Sequence, residues 1–175
     1  IDTIVDSFKL LATYTFVPPP PSLGVTYTNT EHGFSIEYPE GWTENVLRPG
    51  ASFAIEFKDP ERNLSVSVSL EYKTEEAVLA DLVSEGKAYM EAMPQYLFGW
   101  VRNVTIGEGI SGYEIVGKGD LGTGKVEKFK FVTVVRGKQG LWVGAQGEPA
   151  DFDEEEQLID TIVDSFKLLA TYTFV

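Results

Sequence analysis

Residues 27–45 read YTNTEHGFSIEYPEGWTEN, and the fold is decided there. Side chains alternate across a strand, so Phe34, Ile36 and Tyr38 share one face. Pro39-Glu40-Gly41 then makes a turn. Trp42 follows as a large apolar anchor for a core. The stretch therefore predicts strands at 25–29, 34–38 and 42–47, broken by Gly33, Pro39 and Gly41. It reads as fold specification, with a ligand platform on Tyr38 and Trp42 as the alternative. His32 lies in the polar segment 29–33 and reads as an exposed turn histidine.

Downstream, residues 52–57 continue the strand pattern. Residues 64–72 (LSVSVSLEY) alternate cleanly, with Leu64, Val66, Val68, Leu70 and Tyr72 on one side and Ser65, Ser67, Ser69 and Glu71 on the other. That is an antiparallel strand with one wet face. Thr74 suits the N-cap of a helix at about 75–92. Its apolar face is Val78, Leu79, Leu82, Val83, Tyr89, Met90 and Met93, and Pro94 stops it. Further strands are expected at 100–106, 112–118, 125–136 and 140–147. A closing helix carries Leu158, Ile159, Ile162, Val163, Phe166 and Leu169 at helical spacing. Asp153, Glu154, Glu155 and Glu156 sit in its first turn, where the helix dipole favours anions. Many strands with two helices predict an α+β sandwich built on an antiparallel sheet.

The ends of the chain repeat each other. Residues 1–17 read IDTIVDSFKLLATYTFV, and residues 159–175 read the same. Chance does not produce seventeen matches in seventeen positions. The 175 residues are thus one 158-residue period plus an overlap. A tandem array of near-identical domains explains this; an engineered duplication or circular permutation is the other reading. The chain begins without Met or a signal sequence, as an excerpt from something longer would. Pro18–Pro21 forms an extended, semi-rigid spacer. The expected organisation is the end of a preceding repeat at 1–17, a Pro-rich linker at 18–24, a domain at 25–169 and a strand to the next repeat at 170–175. The β-forming residues Ala12, Thr13, Tyr14, Thr15, Phe16 and Val17, with Thr171, Tyr172, Thr173 and Phe174 in the second copy, are expected to pair with a neighbouring copy's sheet edge.

Composition narrows the function. Fourteen Lys and Arg against 27 Asp and Glu give a net charge of −13. So acidic a chain suits neither nucleic acid nor an anionic membrane surface, because phosphate binding needs clustered cations, and no apolar run approaches the roughly 20 residues that direct membrane insertion needs. The chain has no Cys and one His. Thiol chemistry, disulfides and any reaction needing two imidazoles are excluded. No Gly-x-Ser-x-Gly elbow is present. Nothing nominates a catalytic pair among the 27 acids, so the expectation is a non-enzyme without a cofactor. Residues 119–125 (GDLGTGK) have phosphate-loop spacing, but Val126 stands where Ser or Thr is needed and a strand follows. They read as a glycine-rich hairpin. Asp59 and Glu61 read as turn chemistry. The acidic run 151–156 lacks a calcium-loop pattern. It reads as a helix cap and solvated face, with a weak calcium site on Asp151 and Asp153 as the alternative. Asn63 and Asn103 fit the N-glycosylation pattern and are placed at strand starts.

Residues 27–45, the Gly112-Tyr113-Glu114 strand and the ending Val163-Asp164-Ser165-Phe166-Lys167-Leu168 together resemble the PsbP-like family over about 140 residues. The resemblance implies an α/β/α sandwich around a central antiparallel sheet and a non-enzymatic role. Plant and cyanobacterial members of that family are extrinsic subunits of photosystem II that support calcium and chloride retention. A relative with the fold binds the Ran GTPase. Many bacterial and archaeal members are secreted or lipid-anchored. Together these readings lead to an extracellular or cell-surface structural repeat, such as a stalk, adhesin shaft or fibre, whose partners are neighbouring copies of the same domain. The alternative is a secreted binding module for a protein partner or calcium.

Overall fold

The computed structural model describes residues 21–50, 52–92, 97–120 and 124–170. The expected pairing segments 12–17 and 171–174, residues 18–20 of the spacer and the helix stop at Pro94 lie outside them.

The stretch that opens the sequence reading forms two strands of a small sheet. Strands β1 (Val25–Asn29) and β2 (Phe34–Tyr38) pair antiparallel, with Val25 opposite Tyr38 and Asn29 opposite Phe34. Phe34, Ile36 and Tyr38 are all buried, as their shared phase requires. Beyond the turn, β3 (Thr43–Arg48) and β4 (Ala54–Lys58) enter a second sheet and lead into β5 (Leu64–Tyr72). Helix α1 (Leu79–Glu91) follows. Strands β6 (Leu97–Ile106), β7 (Ile110–Gly119), β8 (Glu127–Arg136) and β9 (Gln139–Gly147) then run as an antiparallel meander. The last elements are α2 (Pro149–Glu154), α3 (Glu156–Asp164) and β10 (Lys167–Leu168).

The large sheet has the order β3-β4-β5-β9-β8-β7-β6, and β10 completes the small sheet β1-β2-β10. Sequence-distant strands β5 and β9 join the two halves of the large sheet in a nine-pair ladder from Leu64–Gly147 to Tyr72–Gln139. One face of that ladder carries Leu64, Val66, Val68, Leu70, Leu141, Val143 and Ala145. These residues meet Phe34, Ile36, Phe152, Ile159, Ile162 and Phe166 in one core. The opposite face receives α1, whose Leu82 lies over Gly140. Helices thus lie on both faces of an antiparallel sheet, the α+β arrangement expected.

The readings of the closing helix, of β5 and of His32 need correction. The closing helix is two helices, broken at Glu155, whose backbone leaves helical geometry (φ −102°, ψ 16°). Arg62 from the β4–β5 turn reaches Glu155 at 2.9 Å and holds the joint. The alternation in β5 does not produce a fully wet face. Ser65 is buried, and Ser67 and Ser69 are half-buried, because the sheet continues on both sides of the strand. His32 is not exposed: it retains 4% of its surface and its ring lies 4.5 Å from that of Phe53.

Strand β9 is central, and Gly144 makes close approach possible there. A Cβ at this position would press into the Lys130 carbonyl oxygen and come within 2.6 Å of the Phe131 Cα. Backbone, unlike a flexible side-chain tip, cannot yield cheaply. Gly144→Ala is therefore expected to cost about 1–3 kcal/mol, the range for overpacking, read as a lower urea midpoint with an unchanged m-value.

Candidate functional site

A cleft of about 210 Å³ lies between α3 and strands β6–β8. Its floor follows from strand phase. Val132 on β8 faces the core, so Lys130, two residues earlier, lies on the same side. Across the ladder Glu114 sits opposite Val132, and Arg102 sits opposite Glu114. Helix α3 supplies Asp160 and Asp164, four residues apart and so on one helical face.

The polar groups of the cleft engage one another. Lys130 Nζ donates to Asp160 Oδ1 at 2.5 Å and lies 3.7 Å from Glu114 Oε2. Arg102 Nε donates to Glu114 Oε1 at 2.9 Å. Lys130 and Glu114 are buried, while Arg102 and Asp160 are more than half exposed. Burial raises the Asp164 pKa, and the neighbouring Asp160 charge raises it further against the pull of Lys130. A raised carboxyl pKa marks many acid catalysts. Here the remaining lining residues are Val104, Thr105, Ile106, Val132 and Val163, so Thr105 is the one hydroxyl beside it. The chemistry on offer is charged recognition at a half-open surface.

A second polar node joins the two sheets. Arg136 Nη1 donates to the carbonyls of Gly33 (2.8 Å) and Leu169 (3.1 Å), and Nη2 donates to that of His32 (2.8 Å). Its Nε donates to Gln139 Oε1 at 2.8 Å, and Gln139 Nε2 donates to the Tyr72 hydroxyl at 2.8 Å. The Tyr72 hydroxyl also lies 3.5 Å from His32 Nδ1. Burial lowers the His32 pKa, partly offset by Glu31.

The sequence candidates occupy other places. Asp151 Oδ2 accepts the Asn63 backbone N–H at 2.8 Å, docking α2 on the β4–β5 turn. Asp153 Oδ1 accepts from Lys128 Nζ at 2.5 Å. Among the described residues no cluster of three His, Cys, Asp or Glu side chains is arranged to hold a metal ion. Asn63 immediately precedes β5 and is half-buried. Asn103 is exposed but lies within β6, because that strand begins earlier than the sequence indicates. The Tyr38 hydroxyl donates to Glu44, and burial together with this bond raises its pKa to about 12. Tyr38 thus faces the core rather than a ligand platform. Around residues 119–125, Gly119 pairs with Glu127 across the β7–β8 hairpin and Gly124 N donates to Asp120 Oδ1 at 2.9 Å. That is the hairpin expected. Sequence reading passed over Lys130, Glu114 and Arg136. The available signal was weak: Val132 and Val134 share the phase of Lys130, but so does Lys128, and Phe129 and Phe131 alternate against it.

No protein-family model matches the sequence, and neither does any curated protein. Solved structures do match. The cyanobacterial PsbP (CyanoP) of Synechocystis sp. PCC 6803 is 16% identical, with a TM-score of 0.65 over 87% of this chain and 98% of that one. LpqN of Mycobacterium tuberculosis, involved in cell envelope biogenesis, is 14% identical, with a TM-score of 0.57 over 78% of this chain and 83% of its own. A Pseudomonas aeruginosa protein of unknown function is 20% identical, with a TM-score of 0.50 over 75% and 88%. The fold is therefore PsbP-like. Among the described residues no helix is long and apolar enough to cross a membrane.

Two expectations follow. Removing Lys130 leaves buried Glu114 with Arg102 as its remaining partner, so Lys130→Met should cost about 1–3 kcal/mol. Adding Glu114→Leu should recover part of the loss, giving non-additivity in a double-mutant cycle. The His32 pKa is lowered in the folded state, so the unfolded chain binds the extra proton. Stability is then complete above the ordinary value of 6.5 and declines as pH falls below it toward the folded value. Urea midpoints at pH 7.5 and 5.5 should differ more for the parent than for His32→Gln.

Proposed function

We propose that this chain is a non-enzymatic module, one unit of a tandem protein held outside the cytoplasm, whose partners are neighbouring copies of itself. The observation that carries this reading is the recurrence of residues 159–175 at 1–17. In its second position the segment is a structural necessity: Ile159, Ile162 and Phe166 are fully buried and Val163 nearly so. A chain that carries two copies of a core-closing element carries the closure of more than one unit. The role that fits is mechanical, as a stalk, shaft or fibre.

The open edges support contact between units. Strand β3 is an edge of the large sheet, all six of its residues are exposed, and Val46 and Leu47 keep 51% and 52% of their surface. An exposed edge with apolar residues is a template for strand addition. The β-forming residues that follow β10 would supply the added strand. The involvement of LpqN in cell envelope biogenesis agrees with a place outside the cytoplasm. The acidic surface would keep such units soluble and mutually repelling along an array.

The reading frame on either side of this segment tests the proposal. Further units at 158-residue spacing are expected. A single unit would overturn the array and leave a secreted module that binds its partner alone.

A further inference from the structure

We infer that residues 1–11 can occupy, within the same chain, the groove that residues 159–169 fill. The groove is formed by β2 and β9, with Lys130 and Arg136 from β8. The contacts in which it holds the closing segment come from residues that the N-terminal copy repeats. Ile159, Ile162, Val163 and Phe166 enter the core. Ser165 Oγ accepts the Glu37 N–H at 2.8 Å. Asp160 takes Lys130. Leu169 N donates to the Gly33 carbonyl at 2.9 Å, and the Leu169 carbonyl accepts from Arg136. The counterparts are Ile1, Asp2, Ile4, Val5, Ser7, Phe8 and Leu11. A groove recognises side chains and backbone, not position in the chain, so it cannot tell the two copies apart by these contacts.

Reach permits the exchange. In the small sheet Leu168 lies opposite Phe34, and Val25 lies opposite Tyr38 on the other side of β2. Four residues along a strand and two strand spacings across separate those points by about 17 Å. If residue 10 took the place of residue 168, residues 10–25 would connect it to β1, and fully extended they span about 50 Å. The tether is ample even with its prolines. What favours the C-terminal copy is its direct continuity with α2 and with the partly buried Leu158. The inference rests on the identity of the two copies within these 175 residues, so its failure would leave the tandem reading standing.

The test places a buried charge in one copy at a time within the full chain. Ile162 is fully buried, so an Asp there disables the second copy in the groove. Ile162→Asp should stay folded and monomeric, with cooperative urea unfolding, because residues 1–11 take the groove. Ile4→Asp alone should leave the folding equilibrium within about twofold of the parent. Combined, Ile4→Asp/Ile162→Asp should lower that equilibrium at least about a hundredfold below Ile162→Asp, as an uncompensated buried charge does. The inference is overturned if Ile162→Asp is unfolded, or if the double variant is as stable as Ile162→Asp. It is also overturned if sedimentation shows Ile162→Asp folded only as a dimer or larger, since the filling segment would then come from a second copy.

Discussion

One guanidinium holds the two sheets to each other. Arg136 stands at the end of β8 and binds the carbonyls of His32 and Gly33 in the β1–β2 turn and of Leu169 just past β10. All three acceptors are backbone, so Arg136 senses where the chain runs rather than what it carries. Gln139 closes the ring by accepting from Arg136 and donating to Tyr72. Charge-assisted donors in a fork are strong and directional. Lysine offers one point charge and cannot span three carbonyls in this geometry. The small sheet is a minor structure by itself, with a two-residue third strand. Its position over the core depends on this clamp and on Phe34 and Ile36 beneath it.

Much of the fold was legible because strand phase and burial coincide. Strands 25–29, 34–38 and 64–72 fall where the alternation places them. Errors arose where tertiary contacts override local pattern. The run Asp153–Glu156 resembles one continuous first turn, yet Arg62 from a distant hairpin draws Glu155 out of line. His32 sits among polar neighbours, which suggests a turn in water. Phe53, just before β4, and Tyr72, at the end of β5, cover it, and nothing local to residue 32 announces either.

The cleft was harder to read than the fold for a related reason. Its charges come from β6, β7, β8 and α3 and meet only after the meander is assembled. A lysine between two phenylalanines, as Lys130 is, looks like the wet residue of an alternating strand. Here both faces of β8 are covered, so neither phase is wet. Asp151 stands in an acidic run, and its carboxylate holds the Asn63 backbone. Negative charge in this protein is partly architectural, and a count of acids does not separate that part from the solvated remainder.

The β5–β9 ladder has a kinetic consequence. Its partners lie more than sixty residues apart, from Tyr72–Gln139 to Leu64–Gly147. The flanking ladders, β3-β4-β5 and β6-β7-β8-β9, are successive hairpins between sequence neighbours. Local hairpins close quickly, whereas a long loop must lose its entropy before a distant pairing rewards it. The large sheet is thus two half-sheets of local hairpins that meet along one long-range seam. Until that seam shuts, β5 and β9 are themselves open edges, and the time the chain spends in that condition sets its exposure to aggregation.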